Sequence, residues 1–147
     1  MGKTMGKDWE ETKQELAKTA LKSMGNAYVP YSHFHVGAAL LTEDGTVYTG
    51  VNIENSSYPA AICAERTAIF KAVSEGHRKF QAIAVCGGLN GKAGDYCTPC
   101  GMCRQVMREF CESGDFKILL VKEDGPVKEY TIGELLPLSF GPESLEG

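Results

Sequence analysis

The chain lacks most of what would make it a membrane, secreted or polynucleotide-binding protein. No apolar run approaches the ~20 residues that a membrane-spanning helix needs. The opening Met1-Gly2-Lys3-Thr4 has no apolar core of a secretion signal, and Gly6 stands where a myristoylation motif needs Ser or Thr. Basic residues are few and scattered: 15 Lys and Arg face 19 Asp and Glu, for a net charge of −4. A face that neutralises phosphates needs clustered cations, so no nucleic-acid partner is expected. Internal repeats and low-complexity segments are also missing. With 147 residues, 43% apolar and 23% charged, the composition is globular and sufficient for one core. The expectation is one cytoplasmic domain over 1–147, with 1–7 a disordered extension and no membrane partner.

The hydrophobic pattern alternates between helix and strand. Asp8, followed by Glu11, predicts a capped helix start, and Trp9, Leu16, Ala17, Ala20, Leu21 and Met24 recur at helical spacing up to a stop at Gly25. Strands are predicted over 36–41 and 47–52, joined by a turn with Asp44-Gly45 at its centre. Helices over 63–75 and 100–111 alternate with strands over 82–86 and 116–121, a Gly-rich loop fills 87–98, and a strand over 127–131 leads to a short helix at 132–136. Strand–helix–strand–helix–strand implies two right-handed parallel crossovers beside an antiparallel hairpin. The expected fold is α/β, a mixed five-stranded sheet flanked by helices.

Six cysteines are present, and three sit at telling intervals. Cys100 and Cys103 are spaced for two thiolates gripping one zinc, and Cys63 is available as a third ligand from elsewhere in the fold. Glu65, two residues past Cys63, is placed beside such a metal without binding it. Cys63-Ala64-Glu65 and Pro99-Cys100-Gly101-Met102-Cys103 match the zinc-deaminase pattern of ligand-x-Glu followed by Pro-Cys-x-x-Cys. Both segments fall at predicted helix starts, where the positive dipole end favours thiolates. Arg66, one turn beyond Cys63, is the best placed donor to the sulfurs, with Arg104 second. A carboxylate beside the metal can move protons off water, onto a ring nitrogen and onto a leaving amine; Glu65 is that candidate. A rival reading adds Cys97 as a fourth thiolate, giving a closed structural site and a non-catalytic zinc-stabilised module. Cys86 reads as a small buried hydrophobe, and Cys111 is unassigned.

From about Tyr28 to Pro142 the chain resembles the small homotetrameric cytidine deaminases. The resemblance runs through Phe34-His35-Val36-Gly37-Ala38-Ala39, Asn52-Ile53-Glu54-Asn55, Tyr58-Pro59, Cys63-Ala64-Glu65-Arg66-Thr67-Ala68, Pro99-Cys100-Gly101-Met102-Cys103-Arg104-Gln105 and Phe140-Gly141-Pro142. It implies the three-layer fold of that family, zinc on Cys63, Cys100 and Cys103, and hydrolysis of cytidine and 2′-deoxycytidine with release of ammonia, in pyrimidine salvage. Asn52 and Glu54, spaced by two, point the same way, and an amide beside a carboxylate suits a ribose hydroxyl. The resemblance assigns them the sugar 3′-hydroxyl. It also implies Phe34 and Ala64 at the base, Tyr58 near a subunit contact, Phe140 reaching the pyrimidine from a neighbouring subunit, and Arg66 on the thiolates. The antibiotic-directed blasticidin S deaminases share the cysteine motifs and remain the alternative among enzymes. Asn52-Ile53-Glu54-Asn55 and Phe140 favour the nucleoside enzymes.

Overall fold

Asp8 starts the first helix as its position predicts: its carboxylate accepts from the Glu11 N–H at 2.8 Å and satisfies one of the orphan donors of the first turn. The computed structural model describes residues 8–111 and 114–145, so the extension expected at 1–7 lies outside the described residues. Helix α1 spans Trp9–Ser23 and is followed by β1, Phe34–Thr42, and β2, Val47–Val51. Then come α2, Ala64–Ser74, β3, Phe80–Leu89, α3, Gly101–Phe110, β4, Lys117–Leu120, β5, Lys128–Thr131, and the short α4, Ile132–Leu135.

Two expectations need correcting. Gly25 does not end the first helix; the chain tightens into a 3-10 turn over Met24–Asn26 before leaving. The Gly-rich stretch after residue 86 is partly strand, because β1 pairs with β3 without a break from Leu41↔Ala82 as far as Phe34↔Leu89. Ladder hydrogen bonds from a long neighbour outweigh the weak strand preference of Gly87 and Gly88.

The sheet order is β2-β1-β3-β4-β5. β1 is antiparallel to both neighbours, β3 and β4 are parallel, and β5 returns antiparallel. β2 and β3 therefore run the same way with β1 between them. Both crossovers are present, but only the α3 crossover joins adjacent strands.

Side chains alternate between the faces with the strand period of two. Ala38, Leu40, Ile83, Val85, Ile118 and Leu120 pack under α2 and α3 with Ala68, Ile69 and Met107. Ala39, Leu41, Ala82, Ala84, Leu119 and Val121 turn to α1 and meet Leu16, Ala17, Ala20 and Met24. Helices cover both faces, which accounts for near-continuous apolar strands.

Glycine lets each helix lie close. A Cβ on Gly37 would strike the Ala20 carbonyl and Ser23 Oγ of α1. One on Gly50 would strike the Ala64 carbonyl and the Ala68 N–H of α2. The second approach sets the start of α2, and with it the site.

Candidate metal centre and cleft

α2 and α3 both begin at the end of the sheet where β2 and β3 finish, the usual place for ligands in such folds. Cys63 and Cys100 occupy the N-cap positions of the two helices in extended backbone conformation. A Ser or Asp there would spend its side chain capping its own helix. Neither cysteine makes a side-chain capping bond, so each sulfur faces its counterpart. Thr67 anchors the helix start by donating from Oγ1 to the Val51 carbonyl at 3.0 Å.

Cys63 Sγ lies 3.6 Å from Cys100 Sγ, and Cys100 Sγ lies 3.5 Å from Cys103 Sγ. All three sulfurs fall within 4.8 Å of one another. Zinc–sulfur bonds of about 2.3 Å at tetrahedral angles would place the sulfurs about 3.8 Å apart. The donor set and spacing therefore fit one zinc, with three protein ligands of the kind that catalytic sites use. Among the described residues this is the only such cluster of metal-ligating side chains, and Cys97 stands outside it. Cys97 lines the cleft beside it, and burial pushes its thiol up to about 11. The cluster the structure assembles therefore has three sulfurs, without the fourth thiolate of the closed alternative.

Charge around the sulfurs is uneven. A hydrogen bond with Cys103, helped by Arg66, holds the Cys63 thiol down at about 5. The Cys103 thiol is pushed strongly upward by the same shared hydrogen bond and by burial. Arg66 Nη2 donates to Cys63 Sγ at 3.4 Å, as expected of the residue one turn on. Arg104 is not its understudy. Its guanidinium donates to the Pro99 carbonyl at 2.8 Å and the Leu135 carbonyl at 2.7 Å, bracing the loop before α3 against α4.

Glu65, in the first turn of α2, is only 3% exposed. Burial, reinforced by the Cys63 thiolate, raises its carboxyl to about 7. A group poised near neutral pH is suited both to take and to give a proton.

These residues open on a cleft of about 620 Å³ lined by Asn52, Glu54, Tyr58, Ala64, Glu65 and Cys97 among others. The structure thus places Asn52, Glu54, Tyr58 and Ala64 in one cleft with Cys63 and Cys100. Phe34 is not among the residues lining it, and Phe140, expected to reach the pyrimidine of a neighbouring copy, does not line the cleft of its own chain. The Phe34 side chain is partly exposed at the start of β1, and its carbonyl accepts from Asn52 Nδ2 at 2.8 Å. Phe140 is 59% exposed, and its carbonyl is held by Gln105 Nε2 at 2.8 Å on the α3 side. Asn52 also accepts from the Val36 N–H at 2.9 Å, so its amide extends the sheet as well as facing the cleft. A residue that motif reading passed over is Ser32, which donates to Glu54; only the fold puts these two together, 22 positions apart. A larger cavity of about 920 Å³ lies at the other end of β3 and β4, between Trp9, Phe80, Phe110 and Lys117, and contains none of these groups.

Sheet, thiol cluster and buried carboxylate define a zinc-binding deaminase domain. The family model described as "Cytidine and deoxycytidylate deaminase zinc-binding region" matches residues 10–117. The chain is 50% identical over 132 residues to a cytidine deaminase of Sporosarcina psychrophila, covering 90% of this chain and 93% of that one. It is 50% identical over 133 residues to a cytidine deaminase of Halalkalibacterium halodurans, covering 90% and 97%. The crystal structure of cytidine deaminase from Burkholderia pseudomallei superposes with a TM-score of 0.79 at 43% identity, over 86% of this chain and 98% of that one. The chain belongs to the cytidine and deoxycytidylate deaminase family, and its fold is the mixed sheet of the solved members.

Proposed function

We propose that this chain hydrolyses cytidine and 2′-deoxycytidine to uridine and 2′-deoxyuridine, releasing ammonia, as an enzyme of pyrimidine salvage. The observation that carries the reading is Glu65, buried beside the thiol cluster and lining one cleft with Cys63, Cys100, Asn52 and Glu54. Zinc, when held by Cys63, Cys100 and Cys103, supplies the Lewis acidity that makes water a nucleophile at neutral pH. Glu65 takes the proton from the attacking water and gives it to N3 of the pyrimidine. The oxygen adds at C4, and Glu65 then carries the second proton to the amine that leaves. Arg66 draws charge from the Cys63 sulfur, which otherwise weakens the centre's pull on electrons. Asn52 and Glu54 hold the sugar.

Charge favours a nucleoside over a nucleotide. Among the described residues Arg66 is the one cation lining the cleft, against the carboxylates of Glu54 and Glu65, and its guanidinium is directed at sulfur. A sugar phosphate would meet Glu54 with no cation to pair it. Phe140, standing outside the cleft of its own chain, fits a homotetramer whose sites are shared between copies. The six free thiols fit a reducing, cytoplasmic setting.

The test follows ultraviolet absorbance as cytidine is converted, with and without a zinc chelator. Turnover that disappears on chelation and returns with added zinc is expected. A zinc-loaded protein that leaves cytidine and deoxycytidine untouched would refute the reading.

A further inference from the structure

The loop before β1 carries a device that neither the thiols nor Glu65 explains. Its backbone is laced to the segment after β2: the Tyr28 N–H donates to the Asn52 carbonyl at 3.1 Å, and the Glu54 N–H to the Tyr28 carbonyl at 2.8 Å. The loop then turns back through His33 at φ 58, a left-handed conformation that non-glycine residues rarely adopt. His33 is pinned there from both sides: its N–H reaches the Val29 carbonyl at 3.0 Å, and its carbonyl receives the Asn90 N–H at 2.7 Å. This turn aims two successive backbone donors at one carboxylate oxygen. The Tyr31 and Ser32 N–H groups donate to Glu54 Oε1 at 3.0 and 3.1 Å.

Ser32 supplies a third bond, from its hydroxyl to Glu54 Oε2. The same Oγ accepts from the Phe34 N–H at 3.0 Å. A hydroxyl has one proton and two lone pairs, so the Phe34 donor fills an acceptor position and leaves the proton for Glu54. The hydroxyl is thereby oriented by the first residue of β1. An ionised carboxylate offers about four acceptor positions, and three are taken by this clasp. Hydrogen bonding from Ser32, followed by that of the backbone donors, also holds the Glu54 carboxyl below its ordinary value, so it is acceptor-only at neutral pH.

We propose that Ser32 is a positioning residue that clamps Glu54 so that one remaining carboxylate acceptor is presented to a sugar hydroxyl of the substrate. The inference rests on the cleft being a cytosine-nucleoside site. Ser32 does not touch the reacting atoms; it fixes where a hydroxyl proton must lie, and so makes the cleft demand a hydroxyl rather than merely tolerate one. A loosened Glu54 would cost binding shared by ground and transition states, which raises KM and leaves kcat.

The experiment compares wild type, Ser32→Ala and Ser32→Thr on cytidine and on 2′,3′-dideoxycytidine, which lacks both secondary hydroxyls. Ser32 is exposed, so the fold should tolerate both changes. Expected for Ser32→Ala is a KM for cytidine raised on the order of tenfold, as for loss of a hydrogen bond to a charged group, with kcat within about twofold of wild type. Ser32→Thr, which keeps the hydroxyl, should recover most of the loss. The penalty should vanish with 2′,3′-dideoxycytidine. An equal loss on both substrates, or no loss on cytidine, would overturn the assignment. A wild-type protein inactive on cytidine would instead overturn the functional reading beneath it.

Discussion

The two faces of the sheet are built from the same strands and do different work. Against α1 the layer is small and apolar, with Ala17 and Ala20 meeting Ala39, Ala82 and Ala84. Its buried polar groups look after themselves: Thr12 Oγ1 donates to the Asp8 carbonyl and Ser23 Oγ to the Ala20 carbonyl. Against α2 and α3 the same strand alternation supports a core that also holds Glu65 and Cys103, both almost fully buried. A buried carboxylate at a thiol cluster costs stability unless something compensates it. The start of α2 and Arg66 supply that compensation, on one side only. One face is therefore tuned for packing, the other for chemistry at some expense of packing.

Breaking each face separately gives the largest contrast. Glu65→Gln should lower turnover on the order of a thousandfold while bound zinc, measured by metal analysis, stays stoichiometric and Tm does not fall. Leu16→Ala, in the α1 layer, should do the reverse. It should cost about 2–5 kcal/mol of stability by chemical denaturation and leave the rate per folded molecule unchanged.

The two close helix approaches refine the comparison with a smaller effect. Gly37→Ala and Gly50→Ala should each lose about 1–3 kcal/mol through overpacking. Only Gly50→Ala presses on the α2 backbone at Ala64 and Ala68, so it alone should also depress kcat/KM, by displacing Cys63 and Glu65. Equal activity in the two variants would show that the start of α2 is not set by this contact.

The smallest expected effect lies in the hairpin between β1 and β2, away from both helix layers. Asp44 accepts from Thr42 Oγ1 at 2.6 Å and from the Thr46 hydroxyl and N–H at 2.9 and 3.1 Å. The Thr42 hydroxyl, then those of Thr46, lower its carboxyl to about 2. A depressed folded-state pKa contributes stability that is complete above the unfolded value near 4 and is lost as pH falls through about 2. Asp44→Ala should thus lower Tm slightly at neutral pH, and the difference from wild type should shrink between pH 4 and pH 2. A difference independent of pH over that window would assign the hairpin's stability to turn geometry instead of charge.

Most elements were legible in the chain because their signals are local. Helical spacing from Trp9 to Met24, the Asp44-Gly45 turn, and the paired motifs around Cys63 and Cys100 all depend on neighbours a few positions away. Cys-x-x-Cys beside a helix start is readable for the same reason. Where expectation failed, a distant partner decided. β3 runs on to Leu89 because Phe34 pairs with it, and Arg104 serves Pro99 and Leu135 in place of sulfur. The placing of β1 between β2 and β3 is likewise a property of the sheet, invisible to any single window.

By itself the sequence determined the ligand types, their spacing and the alternating pattern that builds a covered sheet, since these follow from residue chemistry and backbone period. Tertiary structure alone decided that Cys97 stays out of the thiol cluster and that Glu65 is buried beside it. It alone decided that Ser32 grips Glu54 across 22 residues. Those outcomes depend on where separate segments come to rest, and that is set by packing between them and not by the order of residues within any one.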